Sequence, residues 1–250
     1  MSKSRCTAVV LAAGSGSRMK SKVAKQYMLL RGKPIIWYSL QAVEQSEIID
    51  DCILVTGEKD IAYMQQEIVE KYGFTKVSAV IAGGAERYLS VAKAMEYYSN
   101  KNYLHNNRRN TDEENYIFIH DGARPFLTET ILRNTYEAVR QCQACVAAVP
   151  SKDTIKVADE NGFVAATPDR RLVWSIQTPQ VFEADLIVNA YAKLTEELAT
   201  LHKKGVAVTD DASVVELFTD KKVKLVEASY ENIKITTPDD IKIAESFCLP

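Results

Sequence analysis

The amino-acid sequence predicts an α/β fold, a doubly wound and mainly parallel sheet from which a β-ribbon protrudes. Three observations predict it. Apolar runs of strand length alternate with stretches of helical spacing along most of the 250 residues. The first apolar run leads straight into a loop of small residues, the kind of junction at which open α/β sheets bind nucleotides. From Pro150 the texture changes, and residues 150–178 carry turn chemistry with no helical period. One domain is therefore expected over residues 1–250, with 150–178 inserted in it as a β-arm.

Cys6-Thr7-Ala8-Val9-Val10 is apolar throughout, as a strand buried on both faces must be. Pro34 opens a helix whose apolar positions are Ile36, Leu40 and Val43. A second buried strand, Cys52 to Val55, precedes a helix over 60–72 with Ile61, Met64, Ile68, Val69 and Tyr72 on one face. Val77 to Ala82 is the third strand and runs into Gly83-Gly84, which opens the next helix. Ser99 to Asn115 is polar and rich in asparagine, which predicts a long surface loop. Tyr116 to His120 is a strand ending in Asp121, and Thr128 caps a helix reaching about Gln141. Ala144 to Val149 is the next strand. Asp159-Glu160-Asn161-Gly162 between Asp153–Val157 and Phe163–Ala165 predicts a hairpin. Leu186, Ile187, Ala190, Tyr191, Leu194, Leu198 and Leu201 form one helix face, stopped by Gly205. A short helix opens around residues 208–213, late strands are expected at 223–226 and 233–235, and Thr237-Pro238-Asp239-Asp240 starts the last helix.

Composition narrows the function. Hydrophobic content of 46% supplies a large core, and a net charge of −2 draws the chain to neither nucleic acid nor membrane as a whole. Any anion binding must then be local. No apolar run reaches membrane-spanning length, and no signal-type segment precedes the first strand. Five cysteines, several of them inside apolar runs, suit a reducing, cytoplasmic setting. Cys142-Gln143-Ala144-Cys145 lacks a second pair and is expected to mark a helix running into a buried strand.

The chemistry concentrates at strand ends. Ala12, Ala13, Gly14, Ser15 and Gly16 lack bulk, so backbone N–H groups can approach a polyphosphate, and Arg18 and Lys25 add permanent charge beside them. The stretch starts like a dinucleotide fingerprint and like a P-loop, but both patterns fail at Met19. Gly83-Gly84-Ala85-Glu86-Arg87 with Ser90 can let a base or a phosphate reach the backbone, or can be a left-handed turn with a solvated Glu–Arg pair. Asp121 at a strand tip is the candidate ligand for a divalent cation, with Arg124 beside it. His120 is expected to pack, hydrogen-bonded, at the strand end. Arg18, Lys25, Arg87, Arg124, Arg170 and Lys234 are accompanied by no nucleophilic triad, so positioning and charge neutralisation are the expected chemistry.

Leu11-Ala-Ala-Gly-x-Gly-x-Arg-Met19 with Lys25-Gln26 resembles the signature of sugar- and polyol-phosphate nucleotidyltransferases. Further stretches narrow the resemblance: Gly83-Gly84-x-Glu-Arg-x-x-Ser-Val91, His120-Asp-Gly-Ala-Arg-Pro125, Asp153-Thr-Ile-Lys156, Thr178-Pro-Gln-x-Phe182, Thr209-Asp-x-Ala-Ser213 and Asn232-Ile-Lys-Ile-Thr236. Together they are similar to the cytidylyltransferases that act on 2-C-methyl-D-erythritol 4-phosphate in the non-mevalonate isoprenoid pathway. The resemblance spans nearly the whole chain and implies a Rossmann-like nucleotidyltransferase fold. It also implies transfer of CMP from CTP to that polyol phosphate, with a divalent cation, Mg²⁺, as cofactor. By the same resemblance, Arg18 and Lys25 hold the CTP phosphates and stabilise the transition state, while Arg170 and Lys234 grip and aim the polyol phosphate. Ala12, Ala13, Gly84 and Ser90 fall where cytosine is recognised, and Asp121, Arg124 and Thr154 fall around metal, ribose and substrate. The family's ribbon exchanges between subunits of a homodimer, which makes 150–178 a dimerisation arm here. Two alternatives stand beside this reading: a ribitol-5-phosphate cytidylyltransferase, which shares nucleotide and mechanism, and a catalytically silent nucleotide-binding module on the same fold.

Overall fold

A computed structural model describes residues 4–14, 24–105 and 114–248, with backbone alone for 102–105. Its centre is a seven-stranded sheet built from β1 (Cys6–Leu11), β2 (Asp51–Thr56), β3 (Val77–Ala82), β4 (Tyr116–Asp121), β5 (Ala144–Pro150), β6 (Trp174–Glu183) and β7 (Lys224–Glu227). The spatial order is β7-β5-β6-β4-β1-β2-β3. β1 lies parallel to both β2 and β4, β2 to β3, and β5 to β7, while β6 runs antiparallel between β4 and β5.

Side chains of β1 alternate between two cores, as the pleat requires. Ala8 and Val10 face one side with Ile36, Leu40, Met64 and Ile131. Val9 faces the other with Val91, Met95, Ile187 and Tyr191. The first side is covered by α1 (Ile35–Gln45), the helical segment 58–70 and α3 (Glu129–Cys142). The second is covered by α2 (Arg87–His105), α4 (Ala184–Lys203) and α5 (Asp211–Phe218). Helices on both faces of the sheet explain why its inner strands are apolar without alternation.

Several local expectations hold for physical reasons. Thr128 accepts a hydrogen bond from the Ile131 N–H at the start of α3, and Gln143 ends it at φ 64°. Cys142 is thus the last helical residue and Cys145 lies buried in β5, so the CxxC marks a helix–strand junction. Gly205 follows α4 at φ +68°. In the ribbon, Val157–Ala158 pairs with Val164–Ala166, and the Asp159 carboxylate accepts from the Asn161 and Phe163 N–H groups. α6 (Pro238–Phe247) begins at Thr237, and the Asp240 carboxylate accepts from the Thr236 and Thr237 N–H groups.

Other expectations are corrected. α2 continues through His105, into the stretch read as a loop from Ser99. No glycine or proline interrupts 99–105, and a helix anchored by buried Val91, Ala94, Met95 and Tyr98 propagates through weak helix formers. Residues 233–235 form no strand; a single backbone bond, Ile235 N–H to the Ala123 carbonyl at 2.9 Å, holds them against the sheet. Residues 174–183, read as the end of the ribbon, form the antiparallel strand β6 in mid-sheet. Pro179 disguises it: the register shifts between Ile176 and Gln180, so the proline sits at an irregularity of the ladder. A small hairpin, Leu29–Leu30 with Lys33–Pro34, escaped the sequence reading; Arg31 (φ 47°) and Gly32 (φ 78°) supply its two positive-φ turn residues.

Candidate functional site

Strand order turns back at β1, whose two neighbours, β2 and β4, lie on opposite sides, and the cleft opens beyond the C-terminal ends of β1 and β4. It has a volume of about 390 Å³ and is lined by Leu11–Gly14, Lys25, Gln26, Gly84–Arg87, Ser90, Asp121, Ala123 and Lys234. A second lobe of about 340 Å³ shares Arg87, Asp121 and Lys234 and adds Arg124, Gln177, Thr178, Thr209 and Asp210. The two lobes meet at a carboxylate flanked by cations.

The diglycine is required by close approach and not by a left-handed turn. A Cβ on Gly83 would stand 2.6 Å from the Ala13 Cβ, and one on Gly84 would stand 2.4 Å from the Leu89 Cβ. Neither glycine has positive φ. Ser90 locks the turn, its Oγ accepting the Gly84 N–H at 3.0 Å and donating to the Glu86 carbonyl at 3.1 Å. Lys25 is carried on a single helical turn, Lys25–Tyr27. The Tyr27 ring anchors that turn edge-on against Tyr63, 5.0 Å between centroids.

Asp121 is buried and ionised. Burial alone would raise its pKa, but Arg87, then Lys234 and Arg124, hold the carboxyl well below the usual carboxylate range. Arg87 Nε donates to Oδ1 at 3.0 Å and Lys234 Nζ to Oδ2 at 2.7 Å. Arg87 is not one half of a solvated Glu–Arg pair: its two terminal nitrogens grip the buried Asp211 at 2.9 and 2.7 Å. Arg124 donates to the Asn232 carbonyl at 2.7 Å, and burial lowers its pKa while Asp121 opposes the shift.

His120 packs as expected. Its Nε2 faces the Arg124 carbonyl at 3.1 Å, which can only accept, so Nε2 carries the proton. Nδ1 then accepts from the Thr178 hydroxyl at 3.0 Å, and that same oxygen accepts the Asp121 N–H at 3.1 Å. The imidazole is neutral and serves to seat Asp121.

The structure thus gathers Ala12, Ala13, Gly14, Lys25, Gly84, Ser90, Asp121 and Lys234 around one cleft, and Arg124 around its second lobe. Arg18, Ser15 and Gly16 lie outside the described residues. Arg170 and Thr154 stand exposed on the ribbon and do not line either lobe; Arg170 Nη1 donates to the Lys152 carbonyl of its own arm at 3.3 Å. Asp211 and Tyr191 were missed by sequence reasoning. Asp211 sits inside the motif Thr209–Ser213, yet looks like a first-turn helix acid, and Tyr191 looks like one more apolar-face residue of α4.

As to a metal, no group of three or more His, Cys, Asp or Glu suited to hold one occurs among the described residues. Of the carboxylates lining the lobes, Glu86, Asp121 and Asp210, Asp121 alone lines both. That donor set does not fit a standing protein cage, but it fits Mg²⁺ brought in on substrate phosphates, which needs only one or two carboxylates.

Residues 6–249 match the family model IspD, 2-C-methyl-D-erythritol 4-phosphate cytidylyltransferase. The chain belongs to this family. A relative of that name from Lachnospira eligens is 48% identical over 241 residues, 96% of this chain and 98% of its own length. Another from Lachnoclostridium phytofermentans is 43% identical over 97% of this chain and 95% of its own length. The crystal structure of 4-diphosphocytidyl-2C-methyl-D-erythritol synthase from Anaerococcus prevotii superposes with a TM-score of 0.78 at 32% identity, covering 98% of this chain and 96% of that one.

In this cytidylyltransferase the sheet does one job for the site. It brings four separated stretches, 11–14, 84–90, 121–124 and 232–234, to neighbouring loops above β1, β3 and β4. Among the described residues, no helix is long and apolar enough to cross a membrane.

Proposed function

We propose that this chain transfers CMP from CTP to 2-C-methyl-D-erythritol 4-phosphate, yielding 4-diphosphocytidyl-2-C-methyl-D-erythritol and pyrophosphate in isoprenoid biosynthesis. An oxygen of the 4-phosphate attacks the α-phosphorus of CTP, a new P–O bond forms, and the bridging oxygen leaves with pyrophosphate. The observation that carries this reading is the pair of lobes joined at Arg87, Asp121 and Lys234, room for two anionic reactants beside one shared set of charges.

The nucleotide lobe takes the base among Ala12, Ala13, Gly84 and Ser90, and the triphosphate over Gly14, Ser15 and Gly16 with Arg18 and Lys25. The second lobe takes the polyol phosphate, with Arg124 and Lys234 as its cations. Lys234 suits this role as a compact charge that can leave Asp121 for a phosphate oxygen. Mg²⁺ carried on the triphosphate and facing Asp121 would draw charge from the phosphates.

The arm completes the site in trans. Phe163 is 73% and Leu172 80% exposed in the single chain, and Ile155, Val157 and Val164 are exposed on the same ribbon. An arm with so much bare apolar surface is covered economically by a two-fold mate, which would bring Thr154 and Arg170 to the neighbouring cleft. All five cysteines are free, which suits a cytoplasmic enzyme.

The deciding assay offers CTP and Mg²⁺ with each polyol phosphate and follows pyrophosphate. Release with methylerythritol phosphate is expected. Release with ribitol 5-phosphate alone would make the chain a ribitol-5-phosphate enzyme, and release with neither would make it a silent binding module.

A further inference from the structure

Among the described residues Asp211 is a carboxylate beside the cleft with no solvent exposure at all, and it lines neither lobe. Three donors satisfy it: Arg87 Nη1 at 2.9 Å and the Tyr191 hydroxyl at 2.6 Å on Oδ1, and Arg87 Nη2 at 2.7 Å on Oδ2. Its place is fixed twice over from β6 and from its own helix. Gln180 Oε1 accepts the Ala212 N–H at 2.9 Å, Gln180 Nε2 donates to Asp210 at 2.9 Å, and Asp210 caps α5 through the Ser213 N–H.

We propose that Asp211, braced by Tyr191, is a positioning residue for the transfer reaction: it holds the plane of Arg87 and thereby keeps Asp121 at the seam between the lobes. This deepens the functional reading above and rests on it. A guanidinium can pair with carboxylates along its Nη1/Nη2 end, which is bidentate, or along its Nε side. Asp211 occupies the Nη1/Nη2 end from behind, so Asp121 is met from the Nε side, at 3.0 Å. Asp121 is therefore held on one side and shared with Lys234 on the other, at 2.7 Å. Without the charge of Asp211, Arg87 would turn its bidentate edge to Asp121, draw the carboxylate to itself and leave Lys234 without its anchor at the seam. Burial and the adjacent Asp211 together push the Tyr191 phenol pKa far up, so Tyr191 stays a donor at any working pH.

Asp211→Asn and Tyr191→Phe test this, since both keep volume. Kinetics are normalised to the folded fraction measured by circular dichroism, and CTP affinity is measured alone by calorimetry. For Asp211→Asn we expect kcat to fall about tenfold or more and KM for methylerythritol phosphate to rise, as misplaced catalytic groups do. CTP affinity should stay within about threefold of wild type, because Asp211 lines neither lobe and Ala12, Ala13 and Lys25 lie on stretches it does not touch. For Tyr191→Phe the same pattern should be milder, about two- to fivefold. A merely structural role would lower the folded fraction and leave kcat and KM per folded enzyme alone, and that result in both variants overturns the proposal. Should Asp211→Asn fail to fold, Tyr191→Phe decides: normal constants refute, the split supports. A wild-type chain that released no pyrophosphate would overturn the functional reading, and this inference with it. Variants equal to an active wild type overturn the inference alone.

Discussion

The neutral imidazole of His120 makes stability depend on pH in a calculable way. Burial is the largest influence and pulls its pKa down to about 4, from 6.5 for a free side chain. Arg124 lowers it too, whereas the hydrogen bond to the Arg124 carbonyl and the charge of Asp121 raise it. Because the folded pKa lies below the unfolded one, the unfolded chain takes up the proton first as pH falls. The contribution of His120 is therefore complete above about pH 6.5. It declines by about 1.4 kcal/mol per pH unit between 6.5 and 4 and is gone below about 4, about 3 kcal/mol in all. Urea unfolding of ligand-free protein at a fixed concentration, at pH 7, 6 and 5, should show this loss. His120→Gln keeps a donor for the Arg124 carbonyl but does not titrate, so the gap between variant and wild type should close as pH falls. Equal slopes for the two proteins would refute the reasoning, because some other group would then carry the dependence.

Four further outcomes are expected. Lys25→Ala should lower turnover about a hundredfold or more while CTP affinity falls less, as for other preorganised charges, read from single-turnover kinetics beside calorimetry. In Gly84→Ala the new Cβ would press on the Leu89 Cβ and, at 2.9 Å, on its backbone; thermal unfolding should report a loss of about 1–3 kcal/mol, and CTP titration should show weakened binding. Lys234→Ala should impair use of methylerythritol phosphate while CTP binding measured alone is unchanged, since Lys25 and the loop after β1 remain. Co-refolding inactive Arg18→Ala with inactive Arg170→Ala should restore about a quarter of wild-type activity if the arm serves the neighbouring site, and none if it serves its own.

The amino-acid sequence by itself determined the sheet and most of its helices, because strands buried on both faces are apolar throughout and amphipathic helices repeat every few residues. It also marked the small residues 12–14 after β1, the diglycine and the tip Asp121, which line the cleft, since residues that must lack a side chain or must carry charge leave a local trace. Four things were decided only by tertiary structure. β6 hides in the sequence because Pro179 argues against a central strand, and only its position between β4 and β5 reveals the ladder that bends around it. The turns at Gly83-Gly84 look like places for positive φ, yet the need for glycine comes from Ala13, Ser90 and Leu89 crowding in from elsewhere. Arg87 looks solvated in sequence and is in fact shared between two buried carboxylates, 34 and 124 residues away. Asp211 and Tyr191 are legible as a first-turn acid and a helix-face residue, but their joint grip on Arg87 left no sign in the sequence. Periodicity records which face a residue occupies, whereas an ion pair between distant stretches exists only once the sheet has brought their ends together.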